Sequence, residues 1–170
     1  MRPEDQRSAV GQYTVVARTL VFLTRGSKVL LLKGAPTKRL WAGKYNGIGG
    51  HLEPGESPYA SALRELREET GLTAETLELR GVVHVTLPEP PGVVFFVFVG
   101  EAAADDIVAS EEGLPEWVER EALAGLPLVE DLPALLPRVL IPGAMTFAHY
   151  RISDAGFEIQ FDTGAQDAAL

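Results

Sequence analysis

Three carboxylates, Glu65, Glu68 and Glu69, fall in the run GHLEPGESPYASALRELREETGL at residues 50–72. On a helix their spacing gathers them on one patch, because positions i, i+3 and i+4 are neighbours. Tyr59, Leu63, Leu66 and Thr70, with Ala62 beside them, gather on the opposite side. Three like charges on one patch repel, and either solvent or a hard divalent cation relieves that cost. Such a cation prefers carboxylate oxygens and keeps waters that a phosphate can replace. Arg64 lies alongside, where its planar guanidinium can pair with a glutamate and fix its orientation. Glu56 stands at the helix entrance, placed either to cap the helix or to turn toward the same site. A bare E-x-x-E-E pattern on a helix reads as a solvated acidic face. The glycine-rich turn directly before this one, which lets backbone and ligand approach closely, is what points to a site.

The elements that must position these residues are legible in outline. Residues 12–24 and 28–33 are β-branched and apolar, with a turn between them, and predict strand–turn–strand. Residues 34–45 are rich in Gly, Pro and basic side chains and predict a loop, and 46–55 (NGIGGHLEPG) a turn-prone continuation. Pro58 suits the start of a helix running over 59–70, and Gly71 suits its stop. Strands are expected at 77–87, 93–99 and 114–118. Helices are expected at 121–126 and 132–140, the second one interrupted by Pro133 and Pro137. A last hairpin is expected from 149–152 and 157–161 around a turn at 154–156. The pattern describes a single domain over 1–170, ordered from about 12 to 162, of α/β or α+β class, with a mixed β-sheet and flanking helices. The last eight or so residues are expected to fray.

Length and composition narrow the function classes. A chain of 170 residues suits one domain with a real core. With 46% hydrophobic and 23% charged residues it is of ordinary globular make-up. There is no cysteine, which excludes disulfides, thiolate catalysis and Cys-based zinc sites. A net charge of −9 argues against coating nucleic acid. An anionic ligand remains compatible where a bound cation cancels the repulsion. No apolar run approaches membrane-spanning length and the N-terminus lacks the apolar core of a secretory signal, so a cytoplasmic chain with neither membrane nor nucleic-acid partner is expected.

The order Gly50, Glu56, Arg64, Glu65, Leu66, Glu68, Glu69, Gly71, Leu72 resembles the signature of the Nudix hydrolases at every specified position. The resemblance implies an α/β/α sandwich, with the signature as a loop–helix–loop holding Mg²⁺ or Mn²⁺. It also implies hydrolysis of a nucleoside diphosphate linked to another group. It makes Glu65, Glu68 and Glu69 metal ligands, joined by a backbone carbonyl near Gly49 and Gly50. Arg64 orients a glutamate, Glu56 supports the site, and Glu68 or Glu69 acts as general base.

Upstream, RLWAGKYNGIGG resembles the MutT-like branch that clears oxidised purine nucleotides. There Asn46 reads the purine edge; the alternative is a turn asparagine before Gly47. Glu112, with Glu111 as second choice, resembles a further acidic group brought toward the metals, or else belongs to an exposed loop. Glu130 and Asp131 resemble a base-contacting acidic pair, without the tryptophan expected before them. Trp41 and Tyr45 suit stacking on a base. Lys33, Lys38, Arg39 and Lys44 make the loop basic, either to steer a polyphosphate or as solvated charge. His51, His84 and His149 show no metal-ligand spacing. The implied activity is cleavage of an oxidised purine deoxynucleoside triphosphate to monophosphate and pyrophosphate. ADP-ribose hydrolysis and a catalytically silent nucleotide sensor are the alternatives.

Overall fold

The computed structural model describes residues 11–162. Eight strands make one mixed sheet: β1 (Val15–Arg25), β2 (Lys28–Gly34), β3 (Tyr45–Asn46), β4 (Ala74–Thr86), β5 (Gly92–Ala102), β6 (Gly113–Glu119), β7 (Thr146–Ser153) and β8 (Gly156–Asp162). The spatial order is β3-β2-β1-β5-β4-β7-β8, with β6 on β2. The pairings of β1 with β5 and β4 with β7 are parallel and the others antiparallel. Helices α1 (Pro58–Thr70) and α2 (Leu132–Val139) cover the two faces.

The strand period of two builds both cores from β1. Leu20 and Phe22 join α2's Leu132, Leu135, Leu136 and Val139. Val21 and Leu23 face the other way, against Ala62 and Leu66 of α1. This is the expected α/β/α sandwich.

Helix α1 has clean ends. The Ser57 side chain accepts the Ala60 N–H at 3.1 Å, Pro58 opens the first turn, and Gly71 closes the helix at φ 74°. Helix α2 tolerates Pro133 in its first turn and Pro137 near its end because it is only eight residues long. The helix expected at 121–126 is instead a 3-10 turn over Arg120–Gly125. The loop expected at 34–45 ends in β3, which pairs Tyr45 with Lys33 and Asn46 with Leu32. Fraying of the last eight residues lies outside the described residues. Among the described residues no helix is long and apolar enough to cross a membrane.

One pairing positions the site. β1 and β2 pair only at the hairpin end, Thr24 with Val29 and Arg25 with Lys28, leaving the rest of that β1 edge open. The glycine loop docks there. The Thr19 N–H donates to the Gly50 carbonyl at 2.9 Å, Val21 and Ile48 exchange bonds of 2.7 and 3.1 Å, and the Leu52 N–H donates to Ala17 at 3.1 Å. Gly49 sits at φ 146°, and a Cβ there would lie 2.2 Å from the Thr19 carbonyl oxygen, so only glycine fits.

Candidate metal and nucleotide site

The loop and α1 meet at two glutamates. Glu69 is 5% exposed and accepts the Gly49 N–H at 3.1 Å. Burial raises its carboxyl from the ordinary 4.5 to about 7; the nearby charges of Glu65 and Glu112 add to this, while the Gly49 N–H and Lys38 oppose it. Glu65 lies against Gly50, where a Cβ would come within 2.3 Å of its Oε1. Glu65, Glu68 and Glu69 do neighbour one another, as their spacing predicts, but the clean division into an acidic and an apolar side does not hold. Glu69 is turned inward beside buried Thr70, whereas Tyr59, assigned to the packed face, is 48% exposed. The docked glycine loop roofs Glu69, which periodicity along one helix does not reveal.

Arg64 organises the remaining carboxylates. Its Nε and Nη2 grip Glu56 at 2.7 and 3.1 Å, and its Nη1 reaches Glu65 at 2.9 Å and Glu68 at 3.0 Å. Nη2 also donates to the His51 carbonyl at 3.0 Å. So His51 contributes backbone, while its side chain is exposed. The fork holds Glu56 well below the ordinary carboxylate range, at about 2. Glu56 does not cap α1, since Ser57 does; it also accepts the Glu53 N–H at 3.0 Å and so braces the loop.

Among the described residues no three carboxylate or histidine side chains are gathered tightly enough to grip an ion as they stand. The donor set nevertheless fits a hard divalent cation: two partly or fully buried carboxylates, an exposed third and loop carbonyls. The Gly50 carbonyl is already engaged by Thr19. A cation there would be held by Glu69, by the Glu65 oxygen that Arg64 leaves free and by Glu68 once turned from Arg64, which keeps Glu56 and the Glu65 Oε1. Glu112 faces the same region, close enough for its charge to act on Glu69, and it pairs with Lys38. Glu111 is exposed.

Beside this cluster a cavity of about 410 Å³ opens between the sheet and α2. Asn46, Trp41, Glu130 and Asp131 line it, together with the apolar Val83, Val85, Phe95 and Leu135. The Asn46 Oδ1 accepts the Gly47 N–H at 2.8 Å, as a turn asparagine does, and the residue also lines the cavity. Glu130 pairs with Lys44, which lowers its pKa. Burial raises Asp131, and the charge of Glu130 adds to it. Tyr150, buried beside Asp131, is raised by burial and by that carboxylate.

Tyr45, expected to stack on a base, and Lys33, expected to steer a polyphosphate, are not among the residues that line the cavity. Tyr45 is 6% exposed in the core, with its hydroxyl donating to Glu116 at 2.8 Å. Lys33 places its ammonium 5.4 Å from the centre of the Tyr45 ring. Tyr45 belongs to the same α2-side core as the cavity residues Leu20, Val83 and Leu135, but it is packed into that core with its hydroxyl committed to Glu116. The sequence reading missed Arg18, Tyr150 and Phe157, which also line the cavity. For Arg18 a signal existed, a cation inside the apolar run of β1. Tyr150 is an ordinary core aromatic of β7 and Phe157 an exposed aromatic of β8 until the sheet order and α2 bring them to one cavity.

Comparison with known proteins agrees with this architecture. The NUDIX domain model matches residues 14–139. The oxidized purine nucleoside triphosphate hydrolase of Danio rerio is 32% identical over 119 residues, covering 63% of this chain and 68% of that protein. The protein of the same description from Mus musculus is 28% identical over 137 residues, covering 80% and 86%. The crystal structure of a MutT protein from Bacillus halodurans superposes with a TM-score of 0.76 over 87% of this chain and 98% of that one, at 21% identity, and shares the fold.

Proposed function

The chain belongs to the Nudix family of hydrolases, which act on nucleotide pyrophosphate bonds, and from that premise we propose that it cleaves a nucleoside triphosphate to the monophosphate and pyrophosphate. The preferred substrate class is an oxidised purine deoxynucleotide, with Mg²⁺ as the cation and Mn²⁺ as its substitute. The observation that carries the proposal is the juxtaposition of a buried glutamate under the glycine loop with a base-sized cavity walled by both donors and acceptors.

A divalent cation at the acidic cluster supplies cancellation of phosphate charge and acidification of water. The chain's own residues do the rest. Glu69, fixed by the Gly49 N–H, and Glu65, packed on Gly50, are the ligands that need least rearrangement. Arg64 positions Glu65 through its fork, and Glu56 holds the fork in turn. Glu68 is exposed and able to leave Arg64, which suits it to take the proton of the attacking water. Glu112 adds a carboxylate from the β6 side, and Lys38 beside it faces the polyphosphate. In the cavity, Trp41 stacks on the base while Asn46, Glu130 and Asp131 read its polar edge.

A panel of nucleotides with Mg²⁺, read separately for pyrophosphate, orthophosphate and nucleoside monophosphate, tests this. Release of monophosphate and pyrophosphate, fastest with 8-oxo-dGTP, is the expected result. Preferential splitting of ADP-ribose to AMP and ribose phosphate replaces the triphosphatase reading with the alternative. Tight binding without turnover makes the chain a sensor.

A further inference from the structure

Arg18 stands within β1, whose sequence VVARTLVFLTR is otherwise apolar around it. It shares a face with Leu20 and Phe22, and it lines the cavity together with Leu20 and Asn46. Its guanidinium lies 5.7 Å from the centre of the Phe95 ring, and its Nε is buried with no hydrogen-bond partner. Burial lowers its pKa and the charges of Glu65 and Glu69 oppose that, yet an arginine remains a cation throughout the working range. A buried N–H that has left water without finding an acceptor is costly, and a ligand that brings one removes the cost.

The other polar groups of the cavity narrow what that ligand presents. Glu130 and Asp131 are carboxylates. The Asn46 Oδ1 is committed to the Gly47 N–H, which leaves the amide nitrogen as a donor. One wall therefore takes N–H groups and the Arg18 wall offers them. Leu20, Phe95 and Val83 surround Arg18 with apolar surface suited to a ring and ill suited to a phosphate.

We infer that Arg18 is a specificity-determining residue: it donates to a keto oxygen of the substrate's purine ring, so that the chain favours oxopurines over aminopurines. This rests on reading the cavity as the base pocket. An exocyclic amino group in the same place sets N–H against a cation and leaves Nε unpaired. Such a pairing discriminates by roughly ten- to a hundredfold.

The test uses two readouts on the wild type, Arg18→Leu and Arg18→Lys. One is binding of dGMP, dIMP and dAMP to the metal-free protein, followed by Trp fluorescence. The other is kcat/KM for dGTP, dITP and dATP with Mg²⁺. The inosine nucleotides isolate the keto group from the 2-amino group. The wild type is expected to favour the dG and dI compounds over dA by roughly tenfold or more. Arg18→Leu is expected to erase that ratio and Arg18→Lys to keep part of it. A wild type indifferent to the keto group overturns the inference, and this needs no variant to fold. So does an Arg18→Leu protein that weakens all three bases equally, which places Arg18 on the phosphates or in the fold. Keto-selective binding without turnover defeats the hydrolase reading and leaves the role of Arg18 standing. Turnover without keto preference does the reverse.

Discussion

Replacing Glu69 by glutamine should stabilise the metal-free protein while disabling it. The carboxyl titrates near 7 in the fold against an ordinary 4.5, chiefly because burial penalises its charge. Between those values the folded protein holds a proton there that the unfolded chain has released. Its contribution to stability therefore falls as pH rises from 4.5 toward 7, and it is level above. At about 1.4 kcal/mol per pH unit the accumulated penalty at pH 8 is about 3 kcal/mol. Glutamine keeps an oxygen for the Gly49 N–H, now 3.1 Å away, and carries no charge. In chelator at pH 8, Glu69→Gln should thus melt roughly 6–12 °C above the wild type. At pH 5 the gain should shrink to about a quarter of that. Added Mg²⁺ or Mn²⁺ should raise the wild-type melting temperature and leave the variant unmoved. Turnover should drop by more than about a hundredfold, since outer-shell partners alone are worth ten- to a hundredfold. Thermal melts at the two pH values, with and without metal, and single-turnover rates provide the check. A variant that melts below the wild type at pH 8 in chelator, or that keeps its rate, refutes the reasoning.

Gly50→Ala places a Cβ 2.3 Å from the Glu65 Oε1, and because that atom ends a side chain the fold should adapt by displacing the carboxylate. Half-saturating Mg²⁺ should rise on the order of tenfold with little change in a urea melt. Arg64→Lys keeps the charge and loses the fork that spans Glu56, Glu65 and Glu68; kcat should fall roughly ten- to a hundredfold in metal-saturated assays. Ser57→Ala removes the cap on the Ala60 N–H and should cost about 1 kcal/mol in urea unfolding, with kcat/KM preserved in the same nucleotide assay.

The acidic helix was legible because its information is local. The spacing of Glu65, Glu68 and Glu69, the stop at Gly71 and the start at Pro58 all act within a few residues of themselves. The strands other than β3 were legible for the same reason, within a few residues at their ends. The stretch at 121–126 failed because two hydrogen-bonding patterns, α and 3-10, compete over one or two turns with similar side-chain requirements. Tyr45 was misplaced because its chemistry suits stacking, while the fold buries it in the α2-side core with its hydroxyl bonded to Glu116. His84 and His149 carry no ligand spacing in the sequence, yet parallel pairing of β4 with β7 stacks their rings 5.2 Å apart.

By itself the sequence determined the carboxylate cluster, the arginine beside them and the glycines at their approach, since each depends on neighbours along one helix and one turn. Tertiary structure decided which glutamate is dry, because Glu69 is sealed only when the loop fills the open edge of β1. It also decided that a pocket exists at all. The cavity walls come from β1, β3, β4, β5, β7, β8 and α2, and strands distant in the chain become neighbours only when the sheet order and the packing of α2 bring them there. Burial, and with it the charge state of Glu69 and the unmet donor of Arg18, is a property of that assembly and of no single segment.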